Sequence, residues 1–168
     1  MRTSFLIAFL AMLFSPLYFP HLHLLFFAPY LVTCFYKQSR YSVLWKSLGC
    51  GLIIDLFSST PLFGATTLNY CVTSLLLYRQ RRNFFEDQTL TLPLMTFLFS
   101  SISSIITALL YLVFASKYTF SLRWIVTDLF EMPILDALYA LVFFAIPFQL
   151  TAKLTKMKWY DRFRKRHR

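Results

Sequence analysis

SLGCGLIIDLFSSTPLFG, the stretch from Ser47 to Gly64, is apolar on both sides of a single carboxylate, Asp55. An acidic side chain at bilayer depth costs roughly 3 kcal/mol or more, so it normally faces the interior of a helix bundle or a hydrated cavity. Two glycines precede Asp55 and a Ser-Ser-Thr-Pro break follows it. This pattern favours a functional site, or a specified contact between helices, over a simple membrane anchor.

The composition of the chain indicates an integral membrane protein. Its 168 residues are 58% hydrophobic and 14% charged, with a mean hydropathy of +0.58. A soluble domain of this length could not bury so much apolar surface. The glycine-poor apolar segments lack the alternation of membrane β-strands, so we predict an all-α, polytopic helix bundle. Residues 1–168 are expected to form one integral membrane domain, with a basic cytoplasmic tail over about residues 154–168.

Six apolar segments are candidates for membrane-spanning helices. They comprise residues 5–19, 22–36, 41–60, 63–78, 92–115 and 133–153. The first two are short, since fifteen helical residues reach only about 22 Å across a hydrocarbon core of about 30 Å. We interpret them as a hairpin of short or tilted helices, interrupted by prolines and turning at Pro20 and His21. Residues 1–14 could instead be a signal peptide, but no small-residue cleavage site follows, which favours an uncleaved first helix.

The basic residues predict the orientation. With six spans, 15 of the 17 Lys and Arg residues fall on one side, and only Lys117 and Arg123 fall on the other. Basic residues concentrate in cytoplasmic segments, so both termini are expected in the cytoplasm. Residues 116–132 would then form the longest outer loop, with Trp124 at the membrane interface.

Polar residues recur at helical spacing on three of the predicted helices, and each set shares one helix face. The sets are Ser47, Gly51, Asp55 and Ser58; Thr66, Asn69 and Thr73; and Ser100, Ser103, Ser104 and Thr107. In a membrane, small and hydroxyl-bearing residues allow close helix packing and interhelical hydrogen bonds. The serine set is therefore predicted to pack helices, and a hydrated cavity for a solute is the alternative.

A second carboxylate, Asp136, follows Pro133 at the start of the predicted sixth span. Proline is favoured in the first turn of a helix, and an early Asp opposes the positive end of the helix dipole. Asp136 is thus either a helix-start charge near the outer interface or a functional group.

The sequence carries no recognised catalytic motif, and we expect no enzymatic activity, no cofactor and no metal ion. Neither a zinc-protease helix, a nucleophile elbow nor a phosphate-binding glycine loop occurs. His21 and His23 would need acidic ligands from another loop to hold a metal. The basic, aromatic tail fits a topology anchor on anionic lipid, or a docking surface for a cytoplasmic protein; a membrane tether argues against nucleic acid.

The chain resembles the rod-shape-determining protein MreD family. The likeness rests on the length, the six predicted spans and the run GLIIDLFSSTPLFG from Gly51 to Gly64. That family has a similar glycine–aspartate segment, a short turn and an apolar helix, although here an extra Phe precedes Gly64. The matching motif positions are Gly51, Asp55, Pro61 and Gly64, with Pro133 and Asp136 as looser matches in the last span.

The resemblance implies a non-enzymatic inner-membrane scaffold of the cell-elongation machinery. Such a protein would bind an MreC-like bitopic partner and work with an MreB-like filament and the peptidoglycan synthases of the lateral wall. The implied fold is similar to that of the substrate-binding membrane subunits of energy-coupling-factor vitamin transporters. A vitamin-transporter subunit is the alternative function, and a small membrane enzyme using Asp55 and Asp136 as a carboxylate pair is a third.

Overall fold

The computed structural model describes residues 2–18, 24–58, 63–80, 88–114 and 126–147, and the structural statements below concern these residues. Over these ranges the chain forms six helices and no strand. The first five are α1 (Arg2–Tyr18), α2 (Ala28–Lys37), α3 (Arg40–Phe57), α4 (Ala65–Gln80) and α5 (Gln88–Phe114). The sixth, α6, joins a π-helical turn (Thr127–Glu131), an α-helical part (Met132–Ala140) and a second π-helical turn (Leu141–Ala145). The all-helical class is confirmed.

Helix α5 is the central element of the bundle. It packs against α2, α4 and α6, while α3 packs chiefly against α4, and α1 contacts α2. One apolar cluster draws residues from all six helices, and it includes Phe27, Phe35, Tyr70 and Phe99. This core brings the polar faces of α3, α4, α5 and α6 toward one another.

The bundle has polar side chains within its core and large apolar side chains on its surface. Its buried polar side chains are Ser47, Asp55, Asn69, Thr73, Ser74, Thr91, Thr96, Ser100, Ser103 and Asp136. Large hydrophobic side chains lie on the surface of every helix described except α2, and Val113, for example, is 74% exposed. Exposed apolar patches of this extent are typical of surfaces that contact a membrane or another protein.

One of the described helices is long and apolar enough to cross a bilayer. It is residues Thr91–Phe114 of α5, with a mean hydropathy of 2.1. The whole of α5 has 27 residues, which correspond to about 40 Å of helix. The apolar part of α1, Thr3–Phe14, is shorter. This finding is compatible with a membrane location.

Helix α2 begins later than the sequence predicted. Leu24–Phe27 precede it without helical structure, and Pro29 lies in its first turn. Proline has no N–H group, but an N–H in the first turn of a helix has no acceptor within that helix, so no intrahelical hydrogen bond is lost. Pro29 therefore starts a helix of ten residues and does not interrupt a longer one. The predicted turn at Pro20 and His21 lies outside the described residues.

The prediction that the last span opens near Pro133 was wrong. The helix is already formed at Thr127, so the end of the predicted outer loop is helical. Proline cannot donate a hydrogen bond, and its ring clashes with the carbonyl four residues earlier. A wider π turn, in which the Met132 amide donates to the Thr127 carbonyl, precedes Pro133 and accommodates the ring.

Candidate functional site

Asp55 binds the start of the neighbouring helix. It lies in the last turn of α3, is 3% exposed, and its carboxylate accepts three hydrogen bonds from the first turn of α4. The donors are the Thr67 amide (2.9 Å), the Thr67 hydroxyl (2.6 Å) and the Thr66 amide (3.3 Å). The first amides of a helix have no intrahelical acceptors, and the helix dipole favours a negative charge there. Asp55 thus caps α4 from a different helix.

Two glycines of the motif make this contact possible. A Cβ atom on Gly51 would overlap the Cα of Thr67 and would lie 3.1 Å from the Thr67 amide nitrogen. Only glycine lets the α4 backbone approach so closely one turn before Asp55. Gly64 has a φ of +89°, a conformation that glycine adopts without strain, and its carbonyl accepts from the Leu68 amide at 2.9 Å. Pro61, the fourth motif position, lies outside the described residues.

A pair of serines holds the other end of the α3–α4 hairpin. Ser47 and Ser74 are buried, and their hydroxyl oxygens lie 2.6 Å apart. The Ser47 hydroxyl donates to the Val43 carbonyl at 3.0 Å, so Ser74 is the donor between the two serines. The Ser47–Ser74 and Asp55–Thr67 pairs together make α3 and α4 antiparallel. Ser58 falls outside this face, because α3 ends at Phe57.

Asn69 connects α4 to α5. Its amide nitrogen donates to Ser103 at 2.7 Å and to Thr107 at 2.8 Å, and its carbonyl oxygen accepts from Thr73 at 3.0 Å. Two members of the predicted α5 stripe therefore act as acceptors for one side chain of α4. Ser104, on the same stripe, is half-buried and lies outside this network as described.

Asp136 is the second buried carboxylate and is 1% exposed. It accepts from the Leu25 amide at 2.9 Å and from the Ser100 hydroxyl at 2.5 Å. The interpretation of Asp136 as a helix-start charge was wrong, because α6 is already helical at Val126 and Asp136 lies well inside it. Its carboxylate instead joins α6 to α5 and to the segment that leads into α2.

The two carboxylates bind different parts of the bundle. Asp55 contacts the α4 start, whereas Asp136 contacts Ser100 and the Leu25 amide. Among the described residues, the hydrogen-bond donors around each carboxylate are hydroxyl and backbone amide groups. Within the described ranges, no group of three potential metal ligands occurs. His21 and His23, which were considered as metal ligands and not predicted to bind one, lie outside those ranges, as does the basic tail.

Sequence reasoning missed several partners in these networks. Thr67 and Ser74 are seven residues apart on α4, which places them on one face, and this spacing could have identified them. The Leu25 contact uses a backbone amide and leaves no trace in the sequence. The hydroxyls of Tyr70 and Tyr139 are buried in the core, and aromatic residues are too common in this chain to single them out.

Comparisons with known proteins give no match to a family model, to a curated protein or to a solved structure.

Proposed function

We propose that this protein is a multi-pass subunit of the inner membrane, with six spans and both termini in the cytoplasm. The distribution of side chains supports the membrane location, because polar groups are buried and large apolar groups are exposed. In lipid, helices gain no hydrophobic energy from packing, so small and polar residues join them. The excess of basic residues on one side supports the orientation.

We further propose that it acts as a non-enzymatic scaffold similar to the MreD family. The single observation that carries this proposal is the use of the motif residues. Gly51, Asp55 and Gly64 together fix the α3–α4 hairpin, through a close backbone approach, a cap and a turn. A motif that specifies the shape of a helix pair fits a protein whose task is to present a surface to a partner.

The partner expected from the resemblance is an MreC-like single-span protein, with an MreB-like filament and peptidoglycan synthases in the same assembly. The exposed apolar faces of α1, α3, α5 and α6 offer sites for a transmembrane helix. Anionic lipid would bind the basic tail. The vitamin-transporter alternative predicts a different partner, an ATPase-driven transport module, so identification of the partner separates the two.

The test is affinity purification of the tagged protein from native membranes under mild detergent, followed by mass spectrometry. We expect MreC-like or MreB-like proteins to be enriched over an unrelated polytopic protein with the same tag. Gly51→Ala, which disturbs the hairpin, should reduce the enrichment, whereas Gly49→Ala should preserve it. Recovery of a transporter ATPase module in place of these partners would overturn the proposal.

The orientation has its own test. Reporter domains fused after Arg82 and after Arg123 should report the cytoplasmic and the outer side, respectively. A cytoplasmic signal from both fusions would contradict the six-span arrangement, because residues 92–115 would then fail to separate the two positions.

A further inference from the structure

Two tyrosine hydroxyls in the core have no hydrogen-bond partner among the described residues. They belong to Tyr70 of α4, which is 0% exposed, and Tyr139 of α6, which is 9% exposed. Each ring is tightly packed: Tyr70 contacts the ring of Phe99, and Tyr139 contacts those of Phe26 and Phe144. Buried tyrosine hydroxyls usually find a partner, because an unpaired hydroxyl in an apolar environment is costly.

Both tyrosines pack beside Asp136 and its hydrogen-bond partners. Tyr139 follows Asp136 by one helical turn on α6, and its ring contacts Phe26, the neighbour of Leu25. The ring of Tyr70 contacts Phe99, the neighbour of Ser100. Ser100 and the Leu25 amide complete the cluster through their hydrogen bonds to Asp136. Three helices and the segment before α2 thus contribute residues to this part of the core.

The backbone at this point is also irregular. Helix α2 has ten residues, about 15 Å of helix, and Leu24–Phe27 lie before it as buried or half-buried non-helical chain. At membrane depth, non-helical backbone is tolerated where protein buries it or where it borders water. In secondary transporters, the ends of broken helices line polar sites near the middle of the membrane.

We propose that Asp136, Tyr70, Tyr139 and Ser100 form an internal water-binding site at the start of α2. The donors and acceptors balance for water. Both tyrosine hydroxyls need an acceptor, and the oxygen of one water molecule accepts two hydrogen bonds. Its two protons then find free lone pairs on the Asp136 carboxylate and on the Ser100 oxygen, which uses its own proton toward Asp136. A buried water of this kind makes two to four hydrogen bonds.

A metal cation fits these groups less well. A cation would bind the lone pairs of the tyrosine oxygens and leave both phenolic protons without an acceptor. The proposal is independent of the scaffold function, because it concerns only the interior of the bundle.

The sign of a stability change tests the site. If water accepts from the hydroxyls, Tyr70→Phe and Tyr139→Phe each remove a hydrogen bond, and the thermal midpoint in detergent should fall. If the hydroxyls are dry and unpaired, each change removes an unsatisfied group and the midpoint should rise. An unchanged or raised midpoint in both variants overturns the proposal. The double variant should lose less than the sum of the two single losses, because both hydroxyls share one water.

A measurement on the unaltered protein keeps the test decisive if a variant fails to fold. Radiolysis of water by an X-ray pulse produces hydroxyl radicals that oxidise side chains next to bound water, even when those side chains are buried. We expect Tyr70 and Tyr139 to be oxidised at least several-fold faster than Phe27 and Phe35, which lie in the apolar core and are 0% and 1% exposed. Equal rates for the two pairs would show a dry cluster and overturn the proposal.

Discussion

Gly51 and Gly49 form a matched pair that tests the packing of the α3–α4 hairpin. Both lie inside α3, but a Cβ on Gly49 meets nothing within 4 Å, whereas a Cβ on Gly51 collides with Thr67. Gly49→Ala should therefore stabilise the protein by about 0.4–1 kcal/mol, because alanine restricts the unfolded chain. Gly51→Ala restricts the unfolded chain in the same way, but its Cβ also collides with Thr67, which destabilises the folded protein.

The cost at Gly51 can be worked from the geometry. The atoms in the way are the Cα, the amide nitrogen and the Cβ of Thr67, the last two at 3.1 and 3.2 Å. Carbon atoms pack at about 3.5–4.0 Å, so the start of α4 must move by roughly 1 Å. Overpacking costs about 1–3 kcal/mol, and the same shift stretches the hydrogen bonds from Thr67 to Asp55. We expect a net loss of about 2–4 kcal/mol.

The cysteines of the chain supply the assay. Cys34 and Cys50 are buried and free, and Cys71 is half-buried, so a thiol-reactive dye in a Cys71→Ser background reports unfolding in detergent. For a chain of this size, each kcal/mol corresponds to about 2–4 °C in the thermal midpoint. Gly51→Ala should melt several degrees below the parent, and Gly49→Ala at or above it. A Gly51→Ala midpoint equal to that of Gly49→Ala would refute the close approach.

Three further changes test the other contacts by the same assay. Asp55→Asn keeps one acceptor oxygen but turns an amide group toward the α4 donors, so it should lower the stability by about 1–2 kcal/mol. Asp55→Leu leaves the α4 amides unpaired and should lower the stability more. Equal losses in the two variants would contradict the capping geometry. Gly64→Ala should cost about 1–2 kcal/mol because of the positive φ, and a neutral effect would argue against that turn. Ser100→Ala removes a hydrogen bond to the buried Asp136 carboxylate and should lower the stability by about 1.5–3 kcal/mol. Ser104→Ala on the same helix should change the stability by about 0.5 kcal/mol or less. The reverse order of the two effects would refute the Ser100–Asp136 hydrogen bond.

The sequence predicted the middle of the bundle well. The expected helix at residues 41–60 corresponds to α3 (Arg40–Phe57), and that at 92–115 corresponds to α5 (Gln88–Phe114). Hydropathy finds such helices because their apolar runs are long. Hydropathy did not locate the starts of α2 and α6. Helix α2 has a proline in its first turn, whereas α6 is already formed before its proline, Pro133. Proline marks a local constraint, and the surrounding backbone decides whether a helix begins, ends or widens there.

The polar residues were predicted as a set but not as pairs. Periodicity places Ser100 and Ser103 on one face of α5, yet their partners are on different helices: Asp136 on α6 for Ser100, and Asn69 on α4 for Ser103. The pairing depends on how helices distant in sequence come together, which no local pattern contains. A partner such as the Leu25 amide is a backbone group that any residue would supply.

Both buried carboxylates serve the same physical purpose, which explains why they are tolerated in so apolar a chain. Asp55 accepts from the first amides of α4, and Asp136 accepts from an amide just before α2. An unpaired amide in hydrocarbon costs several kcal/mol, and a carboxylate at the centre of a membrane helix costs about 2.5–3.5 kcal/mol. A hydrogen bond between the amide and the carboxylate gives each group a partner, which reduces the cost of burying both. Short helices can then start within the bundle, and the position of each carboxylate determines where they do so.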